Sequence, residues 1–173
     1  APATARFGSP EQVMAPARDN FDDLLRLLPE ASLRARLMAL QDWTEAQFLH
    51  LAPLLEARRQ SGRVRECHGD LHLANLVLIN GRVRMFDCIE FSEDLRWLDV
   101  ASDIAFTYVD LLAHGQPGLA GWFVDEVLSR SGDYDAARVL RFYAVYRAMV
   151  RAKVEAIRMS QTQADDGQAV AHI

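Results

Sequence analysis

Cysteine, lysine and long apolar runs are all scarce in this sequence. Two cysteines in 173 residues, Cys67 and Cys88, are too few for a disulfide scaffold and fit a reducing compartment. No apolar run approaches the roughly 20 residues that cross a bilayer, and the start, APATARFGSP, lacks the charged-then-apolar layout of an export signal. The chain is therefore expected in the cytoplasm, with no membrane partner. An excess of basic charge is missing too: 19 Lys and Arg face 24 Asp and Glu, a net charge of -5 with His neutral. That sign offers no general attraction to nucleic acid or anionic lipid, so no nucleic-acid partner is expected. Lysine is reduced to Lys153, and arginine supplies every other permanent side-chain cation.

What remains is a globular make-up, 50% hydrophobic and 25% charged, sufficient for one good-sized core. The charge is uneven. Residues 67–110 carry Asp70, Asp87, Glu90, Glu93, Asp94, Asp99, Asp103 and Asp110 against Arg82, Arg84 and Arg96, which accounts for the whole net charge. On composition alone this stretch reads as a solvated acidic face. A bound cation is the other way to relieve such repulsion.

Periodicity predicts an α+β fold that is mostly helical. Residues 1–19 hold Pro2, Pro10 and Pro16 and little periodicity, and read as a linker or loosely docked arm. Phe21, Leu24, Leu25, Leu27 and Leu28 form a short amphipathic stretch stopped by Pro29, and Leu33, Leu37 and Leu40 continue on a second helix. Thr44 with Gln47 has capping-box spacing, which predicts a new helix from near Trp43 toward Arg59, ended by Ser61-Gly62. Short β-like runs follow: RVRECH, LVLI and RVRMFD. Asn80-Gly81 between the last two predicts a tight hairpin, because both central residues of that turn take positive φ. Three helices are predicted over 97–114, 118–130 and 134–159. The segment 161–173 loses periodicity and reads as a frayed tail.

The densest polar string, CHGDLHLAN at 67–75, leads into the first hairpin strand. Pairing Ile79 with Arg82 sets Asn75 opposite Phe86 and Ala74 opposite Asp87, so Asn75 and Asp87 lie one step apart at the open end. Strict alternation sends them to opposite faces. They converge on one ion only if the pairing frays or bulges there, which is assumed. Asn plus Asp is an oxygen-donor set suited to Mg²⁺, and Asp70 on the same loop is available to accept a hydrogen bond from a hydroxyl nucleophile.

HGDLHLAN followed by FD resembles the catalytic loop and metal-binding aspartate of the aminoglycoside phosphotransferase family, the small-molecule relatives of the protein kinases. The resemblance spans roughly residues 20–160 and implies the large C-terminal lobe of the kinase-like fold, with a small β-hairpin at the active site. It implies that Asp70 orients a small-molecule hydroxyl acceptor and acts as base, and that Asn75 and Asp87 hold Mg²⁺ and, through it, ATP. His72 stands where protein kinases usually have lysine; contact with the transferring phosphate and an ordinary buried histidine are both open. His68 is a second histidine of the candidate catalytic string, its ring expected to brace the loop. Asp103 resembles a position that supports the catalytic loop, with solvent exposure as the plain alternative. Family members often line the acceptor pocket from late helices, where acidic residues would suit a cationic acceptor. FDCIEF with LRWLDVASDIAF resembles a branch in which the kinase-like domain precedes a P-loop ATPase domain.

A kinase-like enzyme also needs a lobe that clamps the nucleotide, with a strand-borne lysine and usually a glycine-rich loop. Lys153 comes after the catalytic string, and GQPGLAG has no strand before it and no Gly-Lys-Ser/Thr after it, so it reads as a turn. The family's small lobe lies amino-terminal to this region. The chain is thus expected to be part of a longer protein and to bind ATP weakly by itself. Three rivals stand beside this reading. GDLH also resembles metallophosphoesterases, with His68, Asp70 and His72 as alternating ligands. Zinc through Cys67, His68, His72 and Cys88 lacks the usual cysteine spacing. A pseudokinase or interaction lobe regulating an attached domain is the non-enzymatic alternative.

Overall fold

Ser9 starts the first helix: its Oγ accepts from the Gln12 amide at 3.2 Å, and Gln12 Oε1 accepts from the Ser9 amide at 3.1 Å. This reciprocal cap satisfies two otherwise orphaned donors, and Pro10 occupies the first turn, where no N–H is needed. A computed structural model describes the backbone of residues 6–170 and the side chains of 6–162. In it α1 runs Pro10–Leu27. The arm expected over 1–19 is therefore corrected for residues 10–19, which form the first half of α1 and bury Met14 and Ala17 completely. Residues 1–5 of that arm lie outside the described residues.

Helix α2, Ala31–Gln60, is continuous. The break expected near Trp43 is absent because Thr44, fully buried, donates its hydroxyl to the Leu40 carbonyl at 2.7 Å. A threonine satisfied by the preceding turn caps nothing. Strand β1 (Val64–Glu66) pairs antiparallel with β4 (Trp97–Asp99), where a helix start was expected. Strands β2 (Leu76–Ile79) and β3 (Arg82–Met85) form a separate ribbon with Ile79 opposite Arg82. Asn80 and Gly81 turn it with φ of 52° and 71°. After the single turn α3 (Glu93–Arg96) come α4 (Val100–Ala113), α5 (Pro117–Ser131) and α6 (Ala136–Val170). Residues 161–170, expected as a frayed tail, continue α6, since extending an existing helix fixes one residue per added bond and needs no new nucleus. Residues 171–173 of that tail lie outside the described residues.

The fold is thus α+β and mostly helical. Helix α6 is its spine, packed against α4, α1 and α2. The core joins Met14, Phe48, Leu55, Ala105, Val139 and Phe142, drawn from α1, α2, α4 and α6. Phe21, Leu24, Leu37 and Ala156 form a smaller apolar cluster. Among the described residues, no helix is long and apolar enough to cross a membrane.

A cation lies among these helices. Arg58 donates from Nε and Nη2 to Asp99 at 2.7 and 2.8 Å, and from Nη1 and Nη2 to Asp133 at 2.8 and 2.9 Å. Asp99 also caps α4 by accepting from the Ala101 amide at 2.9 Å. One guanidinium therefore ties the end of α2 to the start of α4 and to the turn ahead of α6, and its hydrogen bonds hold the Asp133 carboxyl below its ordinary range. Replacing Arg58 by Met leaves buried Asp99 without its cation and Asp133 with only the looser contact to Arg63 at 3.6 Å, so Arg58→Met should cost about 3–5 kcal/mol. Urea unfolding of the wild type and variant measures this; a loss below about 1 kcal/mol would contradict the role given to the pair.

Candidate active site

Residues 67–75 connect β1 to β2 with no regular structure until a 3₁₀ turn at Leu73–Asn75. Backbone packed against a core must satisfy its amides and carbonyls, and side chains from two helices do so here. Asp103 accepts from the His68 amide at 2.8 Å and the Gly69 amide at 3.1 Å. Arg147 Nη1 donates to the Gly69 carbonyl at 3.1 Å, and its Nε donates to Ser102 Oγ at 3.0 Å. Thr107 Oγ1 donates to the Leu71 carbonyl at 2.7 Å, and Asp110 accepts from the Leu73 amide at 2.8 Å. Asp103, Thr107 and Asp110 recur every three to four residues, the spacing of one helix face, and all three are buried. The solvent alternative for Asp103 is thereby excluded. Thr107, Asp110 and Arg147 escaped the sequence reading, although the polar stripe in α4 was a usable signal for the first two.

Glycine is required at position 69. Its φ is +84°, and an added Cβ would lie 2.7 Å from the Leu95 carbonyl oxygen and 3.0 Å from Ile89 Cδ1. Both the backbone conformation and the close approach of the 89–95 segment exclude a larger residue.

Within this frame the polar string comes together. Asn75, buried, donates Nδ2 to the Asp70 carbonyl at 2.9 Å and to Asp70 Oδ2 at 3.2 Å. His72 Nε2 lies 3.3 Å from the same Oδ2, its ring edge-on to Phe106 and its buried Nδ1 without a hydrogen-bond partner among the described residues. His68 Nε2 donates to the Phe86 carbonyl at 2.8 Å, since a carbonyl can only accept, and His68 Nδ1 then accepts from the Asp70 amide at 3.4 Å. Both ring nitrogens of His68 are committed to backbone, so of the roles considered for this catalytic-string histidine it is the bracing one that the contacts match. Asp70 itself is partly exposed and borders two clefts, of about 630 and 260 Å³.

Asp87 joins through its neighbours' backbone. The Phe86 amide donates to the Asn75 carbonyl at 3.1 Å and the Ile89 amide to the His68 carbonyl at 3.0 Å, so the chain on either side of Asp87 is pinned to the loop. Asp87 has φ +58°, a left-handed conformation uncommon outside glycine. It ends the extended pairing just past Phe86, where the reading from alternation required a break. The Asp87 carboxylate is exposed and makes no hydrogen bond or ion pair among the described residues.

Among the described residues, no group of three or more His, Cys, Asp or Glu side chains is arranged to hold a metal, and neither the His68–Asp70–His72 set nor the zinc set is assembled. Burial, reinforced by Asp103 and Asp99, pushes the Cys67 thiol up to about 12. No family model matches the chain, and no solved structure matches it. It is 40% identical over 108 residues to proteins of Mycobacterium bovis and of two strains of Mycobacterium tuberculosis, each described as an uncharacterized protein; the match covers 62% of this chain. It spans 22% of each relative, about a fifth of its length.

Asp103→Ala leaves the half-buried His68 amide and the buried Gly69 amide without acceptors, so it should cost roughly 1–3 kcal/mol and abolish hydrogen-exchange protection at His68 and Gly69 selectively. Equal loss of protection throughout α4 would show that Asp103 does not act locally. For Cys67 the raised thiol value means that the unfolded chain ionises first, and stability should fall as pH climbs from about 9 toward about 12. Urea titrations of wild type and Cys67→Ser across that window measure it; identical slopes would refute the buried-thiol account.

Proposed function

We propose that this chain is the catalytic lobe of an ATP- and Mg²⁺-dependent phosphotransferase acting on a hydroxyl of a small molecule, built as the C-terminal lobe of a kinase-like fold. The observation that carries this reading is the polarity of Asn75. Its NH₂ end is spent on Asp70, while Oδ1, the end that can ligate a cation, takes no protein hydrogen bond among the described residues. Phosphoryl transfer asks the protein for positioning and charge stabilisation more than for covalent chemistry, and the loop supplies the first. Asp70 Oδ2 is held by Asn75 and His72, which leaves Oδ1 to receive the acceptor hydroxyl and, late in the reaction, its proton. His72 orients that carboxylate.

Brought to one ion, Asn75 Oδ1 and the Asp87 carboxylate would make an all-oxygen set, the kind that suits a magnesium ion keeping most of its waters. When bound, that ion would offset negative charge on the phosphates of ATP. Backbone strain at a non-glycine residue is often retained where function needs it, and Asp87 is such a residue. The β2–β3 ribbon supports a nucleotide-clamping lobe outside this chain: Leu78, Val83 and Met85 are 69%, 65% and 64% exposed on one face, and a two-stranded ribbon is marginal alone. The much longer relatives leave room for that lobe and for the P-loop ATPase domain. A cytoplasmic setting accords with use of ATP.

The test is ATP consumption by the longer protein, with Mg²⁺ and a panel of hydroxylated small molecules. Asp70→Asn should lower kcat by about 10²–10⁴-fold with the fold intact, and Asn75→Ala and Asp87→Ala should raise the Mg²⁺ requirement. The 173-residue chain alone should bind nucleotide weakly; tight binding by it would contradict a separate clamping lobe. Nucleotide binding without turnover would favour the pseudokinase alternative, and tightly held zinc, iron or manganese would favour a hydrolase.

A further inference from the structure

Of the two clefts that meet at Asp70, the larger, about 630 Å³, has a wall built by α6 from Arg151, Val154, Glu155 and Arg158, opposite Asp70 and His72. Residues three to four apart share a helix face, so these side chains form one continuous surface. Its charge is layered. Arg151 Nη2 meets Asp110 Oδ1 at 3.0 Å, with the arginine side chain 41% exposed and the aspartate 2%. The carboxylate is therefore interior and the guanidinium is the member open to solvent. Nη2 is the only donor of Arg151 engaged among the described residues, and an arginine fork has further N–H groups for a second anion. Arg158 approaches Glu155 at 3.7 Å, both largely exposed, a pairing of little strength.

A polycationic acceptor would require carboxylates free of counter-ions on this wall. Glu155 is its one carboxylate, set between two arginines. We infer that the acceptor carries an anionic group, a carboxylate or phosphate, received by Arg151 with Arg158 as a second contact, while its hydroxyl faces Asp70. Val150, Val154 and Phe106 line the same cleft and cover the acceptor's carbon skeleton. This rests on the phosphotransferase reading for the role of Asp70, but the anion preference is a binding property of the chain alone.

Isothermal titration of the chain, without nucleotide or Mg²⁺, with glucose 6-phosphate, gluconate, glucose and kanamycin tests it. At least one of the two anions should bind tenfold or more tightly than glucose and kanamycin, and the stronger of the two identifies the group. Arg151→Gln should reduce that binding about tenfold. Because Arg151→Gln also strips buried Asp110 of its arginine counter-ion, Arg158→Gln serves as the variant that leaves that pair intact, and it should weaken binding severalfold. Preference for kanamycin, no binding of either anion up to millimolar concentration, or anion binding unchanged in both variants would overturn the inference. Failure of the phosphotransferase reading shows elsewhere, as anion binding that persists while Asp70→Asn leaves ATP turnover of the longer protein unaltered.

Discussion

An irregular backbone that passes over a protein core must find partners for its amides and carbonyls, and from His68 to Leu73 those partners are mainly side chains. Asp103, Thr107 and Asp110 rise from one face of α4, and Arg147 reaches across from α6. Each polar group is costly to bury unless bonded, and each is bonded to the loop it holds. The loop and the two helices therefore specify one another. Loss of the loop's conformation would strand carboxylates, and loss of the carboxylates would strand amides. This mutual requirement makes Asp70 and Asn75 neighbours in a fixed geometry.

The same constraint explains the uneven charge. The acidic stretch resembled a solvated face by composition, yet Asp99, Asp103 and Asp110 are buried and serve as internal acceptors. Their counterparts are arginines: Arg58 spans Asp99 and Asp133, Arg147 lies near Asp103, and Arg151 meets Asp110. A planar guanidinium grips two partners at once and tolerates partial burial better than an ammonium group, which gives a physical reason for a chain with a single lysine. Lys153 itself joins α6 to α1 through Asp23 and Asn20, far from the nucleotide role that its type first brings to mind.

Rigidity is unequally distributed around the site. Below Asp70 the loop is fastened at almost every residue. Above it, the β2–β3 ribbon exposes apolar side chains on a sheet of two strands. Under the proposed function, the fixed floor would orient the attacking oxygen and the uncovered ribbon would receive the clamping lobe. Asp87 stands at the join, with backbone bonds from Phe86 and Ile89 to the floor and its own carboxylate exposed.

Local chemistry by itself determined the β-hairpin, because an Asn-Gly pair needs no distant partner to favour a tight turn, and it determined the composition of the polar string. The same local logic misplaced a helix boundary at Thr44, where a buried hydroxyl found an acceptor within its own helix, and missed the cap at Ser9. Asp103, Thr107 and Asp110 were readable as a polar stripe in an apolar helix. Only the tertiary structure decided that Trp97–Asp99 is a strand, since its partner is Val64–Glu66, and that Arg147 holds a carbonyl 78 residues away. Turns and caps are settled by backbone torsions and nearest neighbours. Strand partners and buried counter-ions are settled when chain closure brings remote groups into a space without water, where each must be paired.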